Sequence, residues 1–225
     1  KILTRNDIED FYYQNEPGLS QSTLNWRIHN LVKNGSLERI GRGKFMVGKN
    51  QIFVPAIKNN LKVLNNSVLS IFPFIEICVW STSLFNEFSK HQSNVVFTMV
   101  EVEKTVEESV FLYLKEHNKN VFLNPKKELL SIYIVEINNP IIVKSLVSES
   151  PLQKVNTIST ITIEKALVDL YCDEGLFFFF QGKERSVIFK EAFKKYTINK
   201  NKLFRYASRR GKREDIEQYI QIIGI

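Results

Sequence analysis

Residues 19–47 read LSQSTLNWRIHNLVKNGSLERIGRGKFMV, and few folds accommodate such a stretch. Leu24, Ile28 and Leu31 recur at the helical period, so one side of a helix here is apolar. Ser20 or Ser22 can cap its start. Asn34-Gly35 stops it with residues tolerant of positive φ. Residues 37–40 and 44–47 then read as two short strands. Gly41-Arg42-Gly43 joins them, where glycine permits a tight reversal. Just upstream, Thr4 with Asp7 suits another helix start, and Ile8, Phe11 and Tyr12 share one face until Pro17-Gly18 makes a turn. Two helices followed by a small hairpin predict a winged helix-turn-helix. Winged helices usually carry one more helix ahead of this pair, and only three residues precede Thr4.

The side of the second helix opposite Leu24 and Ile28 presents Ser22, Trp26, His29, Asn30 and Lys33, with Thr23, Asn25 and Arg27 on its flanks. It is almost free of carboxylates and rich in groups able to reach base edges. Such a helix enters the major groove, and the wing tip, Arg42 with Lys44 behind it, reaches phosphate or an adjacent minor groove. Competing assignments stay open. Trp26 could pack under a neighbouring segment, Arg27 could pair internally with Glu9 or Asp10, and His29 suits an ordinary surface position.

Charge is distributed unevenly. Residues 1–50 hold eight Lys/Arg against five Asp/Glu, residues 51–182 eleven against fourteen, and residues 183–213 twelve against two. Two basic ends flank an acidic middle, a pattern that suits polyanion binding at both ends; solvated helix faces are the plainer reading of the second. At 44% hydrophobic and 24% charged the chain is of globular type. It has no uncharged apolar run long enough for a spanning helix and no signal-peptide pattern at its start, which begins with Lys1 rather than Met. Cys78 and Cys172 lie far apart in apolar contexts and read as reduced core residues, so the expected location is cytoplasmic. They have no metal-ligand spacing with His29, His91 or His117.

Beyond residue 50 the pattern alternates. Helices are expected over 55–69, 81–90, 107–117, 162–171, 184–196, 201–208 and 212–222, and strands over 75–80, 95–102, 130–137 and 141–146. The expected class is α+β, with a winged helix over residues 1–50 and an α/β-type domain over residues 51–225 that ends in helices. The aromatic run LFFFF at residues 176–180 belongs in a core by default, with a partner-covered surface as the alternative.

Catalytic constellations are sparse. Glu101, Glu103 and Lys104 at a strand end resemble the acids and lysine of a metal-dependent nuclease. Yet Glu103 abuts Lys104, and neighbouring strand residues point to opposite faces. Glu164 and Asp169 are five apart on a helix, off a common face, and suit pairing with a nearby lysine or backbone group. No phosphate loop, elbow serine or Cys–His pair occurs. The residues therefore make no positive case for catalysis, a metal or a cofactor.

The pattern from Ser20 to Phe45, S-x-x-T-L-x-W-R-I with G-x-L-x-R-x-G-R-G, resembles the winged helix of AbiEi-type antitoxins of bacterial abortive-infection systems. ICVWSTSLFNEF, EVEKTVEESVF, TIEKALVDLYCD and LFFFFQGKE resemble the carboxy-terminal domain of one branch of that family, so the likeness covers nearly the whole chain. It implies a repressor that binds inverted repeats of double-stranded DNA in its own promoter. It also implies an antitoxin of a type IV toxin–antitoxin pair, countering a nucleotidyltransferase-like toxin with or without touching it. Carried over, the DNA face is Ser22, Thr23, Asn25, Trp26 and Arg27 on the helix, which Lys33 extends, with Arg42 and Lys44 on the wing. Arg209, Arg210, Lys212 and Arg213 form a second basic patch. Two other functions remain in view: a metal-dependent nuclease-like defence protein, and a winged helix that binds protein and not DNA.

Overall fold

The computed structural model describes residues 2–48 and 51–225, and the expected boundary at residue 50 lies outside the described residues. The chain is an α+β protein. Strand β1 (Ile2–Thr4) leads into helix α1 (Arg5–Asn15). Thr4 and Asp7 form a reciprocal capping box: the Thr4 amide donates to the Asp7 carboxylate at 2.6 Å, and the Asp7 amide donates to the Thr4 hydroxyl at 3.2 Å. Helix α2 (Gln21–Lys33) is capped by Ser20, which accepts from the Thr23 amide at 3.2 Å. Strands β2 (Leu37–Gly41) and β3 (Lys44–Val47) form the hairpin, and β1 pairs with the other side of β3, giving the antiparallel order β1-β3-β2. The turn itself is Arg42-Gly43, with Gly43 at φ 68°, a left-handed conformation that glycine adopts without steric cost. The sequence offers no sign of β1. Three residues are too short to show a period, and pairing with β3 is what makes them a strand. Ile8, Leu24, Ile28, Leu37 and Phe45 close a small core between the helices and this sheet.

The next strands sort their side chains by alternation. Helix α3 (Asn59–Ile71) starts later than expected, with Lys58 as its N-cap and no side-chain cap. Strand β4 (Ile77–Ser81) is followed by a 3₁₀ helix (Thr82–Glu87) in place of the expected α-helix. Then come β5 (Thr98–Val102), α4 (Glu107–His117), β6 (Val121–Leu123), α5 (Lys127–Ile132) and β7 (Ile141–Ser145). The sheet order is β4-β5-β7-β6, antiparallel at β4–β5 and parallel elsewhere. Ile77, Val79, Val100, Val102, Ile141 and Val143 face α3 and α4. Cys78, Trp80, Met99 and Ile142 face the opposite way, into the larger core.

The strand expected over residues 130–137 is a correction. That stretch is helix α5 followed by a 3₁₀ helix (Ile134–Glu136). Leu130 and Ile134, four residues apart, are buried, while Leu129, Ile132 and Tyr133 are exposed, which is a helical division of one apolar run. The place beside β7 belongs to β6, which the sequence reading missed because it is three residues long. Also missed was the hairpin β8 (Leu152–Val155) and β9 (Ile158–Ile161). It lies against β4, where the Thr160 hydroxyl donates to the Val79 carbonyl at 2.8 Å.

Helix α6 (Ile163–Cys172) runs through the middle of the larger core, with every residue from Ile163 to Leu170 buried. The aromatic run takes the core role: Phe177 and Phe180 are buried, and Phe177 packs against Trp80 with ring centroids 6.1 Å apart. Helices α7 (Lys183–Lys195), α8 (Lys200–Arg209) and α9 (Arg213–Ile222) complete that side. Cys78 is buried, Cys172 is half-buried, and both are free thiols.

Since Glu101 shares the face of Met99, its carboxylate points into this core and meets Lys165 of α6. The Lys165 ammonium, fully buried, donates to both Glu101 oxygens at 2.9 and 2.7 Å and to Asp169 at 2.5 Å. Trp80 Nε1 donates to Glu101 at 2.7 Å, and the Tyr206 hydroxyl donates to Asp169 at 2.8 Å. Arg210 bridges Asp169 and Asp173, and Lys144 reaches Asp173 at 2.6 Å. Burial alone would lower the Lys165 pKa, but Asp169 and Glu101 outweigh it and hold the ammonium protonated. Lys165→Met should cost about 3–5 kcal/mol in urea unfolding, because it strands two carboxylates in the core. Asp173 titrates in the opposite sense. Burial raises its pKa, yet Lys144 and Arg210 more than compensate, leaving it below the ordinary carboxylate range. The stability this confers is present at neutral pH and lost as pH falls through the depressed value. The deficit of Lys144→Met should therefore shrink in unfolding curves taken at progressively acid pH.

Candidate nucleic-acid interface

Helix α2 turns Leu24 and Ile28 inward, and the inner face fixes what the outer face presents. Ser22, Asn25, Trp26, His29 and Lys33 are exposed, and Thr23, Arg27 and Asn30 are half-buried. Trp26 is 64% exposed, so it does not pack under a neighbouring segment. The helix contains no Asp or Glu. Arg42 and Lys44 are exposed on the hairpin turn.

Several polar groups on this side are already engaged. Ser20 Oγ lies 2.9 Å from both Ser22 Oγ and Thr23 Oγ1. Arg27 forms a two-pronged pair with Glu16, at 2.6 and 2.9 Å, and its guanidinium lies 5.2 Å from the Tyr12 ring centre. The hydrogen bond between them raises the Arg27 pKa and lowers that of Glu16. The partner is thus Glu16, at the end of α1, and not the expected Glu9 or Asp10. Glu9 instead accepts from Arg5 at 2.7 Å and from Gln21 at 3.2 Å.

Sequence reasoning missed Arg5. Its guanidinium bridges Glu9 and Asn25, the latter at 2.5 Å, and its backbone amide donates to the Gly43 carbonyl at 2.8 Å. Arg5 therefore sits between α2 and the hairpin turn. Nothing in a local pattern marks it, since its place follows from β1 pairing with β3. Missed also was a junction at the far end of α2. The Thr197 amide donates to the Gln51 carbonyl at 2.9 Å, and its hydroxyl to the Gly35 carbonyl at 3.2 Å. This docks the start of α8 beside α2, where His29, Lys33, Arg39 and Lys202 line one cleft.

The cations of the expected second patch, residues 209–213, each have an acidic partner within the protein. Arg210 turns inward, its side chain 14% exposed, onto Asp169 and Asp173. Arg209 pairs with Glu149, Lys212 with Asp215 at 2.7 Å, and Arg213 with Glu217 at 3.0 Å. Asp215 and Glu217 of α9 thus pair with cations at the start of their own helix. The nuclease pattern is not assembled either. Glu101 is buried on Lys165, Lys104 is exposed, and Glu103 accepts from the Glu76 amide at 2.8 Å. Among the described residues no group of His, Cys, Asp and Glu is placed to hold a metal.

Residues 23–225 match a family of unknown function, DUF6577. The chain belongs to that family. The match of this DUF6577 protein begins inside α2 and runs through the hairpin and the whole four-stranded sheet to the last residue. No curated protein matches it. Among the described residues no helix is long and apolar enough to cross a membrane. Because Trp26 lies outside all three core clusters, Trp26→Ala should leave the unfolding free energy within about 0.5 kcal/mol of the parent in urea titration.

Proposed function

We propose that this protein is a DNA-binding transcriptional repressor whose residues 2–48 act as a winged helix-turn-helix. Helix α2 lies in the major groove and reads base edges with Asn25, Trp26 and their neighbours. Arg42 and Lys44 reach adjacent backbone, and Arg5 and Lys33 add charge at the two ends of α2. The observation that carries this reading is the exposed outer face of α2, which contributes no Asp or Glu of its own, beside an exposed cationic turn. The order β1-β3-β2 behind two capped helices supports it. The resemblance to AbiEi-type antitoxins extends the proposal: the protein represses its own promoter in the cytoplasm and counters a nucleotidyltransferase-like toxin, with or without contact. Repression is by occlusion and needs no catalytic residue.

A second reading, a winged helix that binds protein, draws on one observation. A groove of about 610 Å³ runs along α1, lined by Leu3, Ile8, Phe11 and Leu31, and Phe11 is 62% exposed. A mobility shift on the DNA upstream of the gene, with and without magnesium, separates the readings. A salt-sensitive shift supports the repressor, absence of a shift at low salt supports the protein-binding module, and magnesium-dependent cleavage supports a nuclease. Arg42→Ala with Lys44→Ala should weaken the shift and flatten the plot of log affinity against log salt by about two units. An unchanged slope removes the hairpin turn from the interface.

A further inference from the structure

A second cleft opens away from α2, at the carboxyl ends of the parallel strands β6 and β7. Asn124 follows β6 directly, and Lys144 is next to last in β7. In parallel sheets this end gathers ligands, because the loops that leave it diverge around a crevice. The cleft holds about 570 Å³, within the roughly 300–1,000 Å³ usual for small-molecule sites.

Its lining divides by chemistry. Lys127, Lys144 and Lys212 supply three ammonium groups, while Ile142, Leu176 and Tyr171 give an apolar wall with an aromatic ring. Two carboxylates share the lining, and both are neutralised from within the protein. Asp173 is held by Lys144 at 2.6 Å and Arg210 at 2.7 Å, and Glu174 by Arg185 at 2.7 Å. Lys212 has the half-exposed Asp215, whereas Lys127 is exposed and makes no ion pair among the described residues. The surplus in the cleft is therefore cationic. The chain of buried charges from Glu101 through Lys165, Asp169 and Arg210 ends on Asp173 in this lining, so its polar floor is fixed before any ligand arrives.

The geometry points to a binding site for a phosphate-bearing small molecule with a planar heteroaromatic body, of mononucleotide size. Lys127 and Lys212 take the phosphate, the body lies along Ile142, Leu176 and Tyr171, and Asp173 accepts from an amino or hydroxyl group of the ligand. This site lies apart from the α2 and hairpin surface, and of its residues only Lys212 belongs also to the second basic patch that the resemblance implies.

The test is calorimetric titration of the full chain with adenosine monophosphate, adenosine and inorganic phosphate, alongside amide chemical shifts. Adenosine monophosphate should bind in the micromolar to low millimolar range and more tightly than either fragment. It should shift the amides of Asn124, Lys127 and Gly175. Lys127→Glu, a surface change, should weaken it at least about tenfold and leave adenosine unaffected. Three results overturn the proposal: no binding at millimolar nucleotide, equal affinity for the nucleotide and inorganic phosphate, or shifts confined to α2 and the hairpin turn. The last would mark general anion binding by the DNA-facing surface.

Discussion

The buried ammonium of Lys165 ties this fold together. It joins β5 through Glu101 to α6 through Asp169, and Asp169 in turn takes Tyr206 and Arg210 of α8 and its end. Removing these charges from water costs several kcal/mol each, and they repay it only with every lone pair and proton engaged. Trp80 of β4 and Tyr206 and Arg210 of α8 and its end provide that completeness. The arrangement permits one register of α6 on the sheet. A shift by one residue along the helix would carry Lys165 off Glu101 and bury an unpaired charge.

That register has consequences at both ends of the molecule. At one end Arg210 is drawn inward to Asp169 and Asp173, which removes it from any surface patch and shapes the polar side of the cleft beside β7. At the other, Glu164 of α6 accepts from the Asn199 amide at 3.0 Å, fixing the start of α8. The neighbouring Thr197 then meets Gly35 and Gln51. The position of Lys202 relative to Lys33 is thus set by the same helix that carries the buried lysine.

The outward surface of α2 is largely legible in the sequence. A helix with Leu24 and Ile28 inside must show Ser22, Trp26 and Lys33 outside, and a two-glycine turn must expose the arginine between. What the pattern could not supply was the partner of each charge. Arg27 finds Glu16 and not Glu9 or Asp10, because the loop at Pro17-Gly18 folds the end of α1 back toward α2. Nor could the pattern supply the partners of the basic run at residues 209–213, since linear charge density counts cations without their neighbours in space. Glu149 and Asp169 are far away in sequence and adjacent in the fold.

By itself the sequence determined the elements whose signal is local: the helix start at Thr4, the helical period of α2, the glycine-bearing turn, and the short apolar runs of β5 and β7. Backbone sterics, side-chain capping and local hydrophobicity suffice for these. Only the tertiary structure decided the three-residue strands β1 and β6, the helical state of residues 127–132, and the pairing of Glu101 with Lys165. Short strands exist only through a partner, an apolar run takes the shape its neighbours leave for it, and a charge is buried only where distant residues satisfy it.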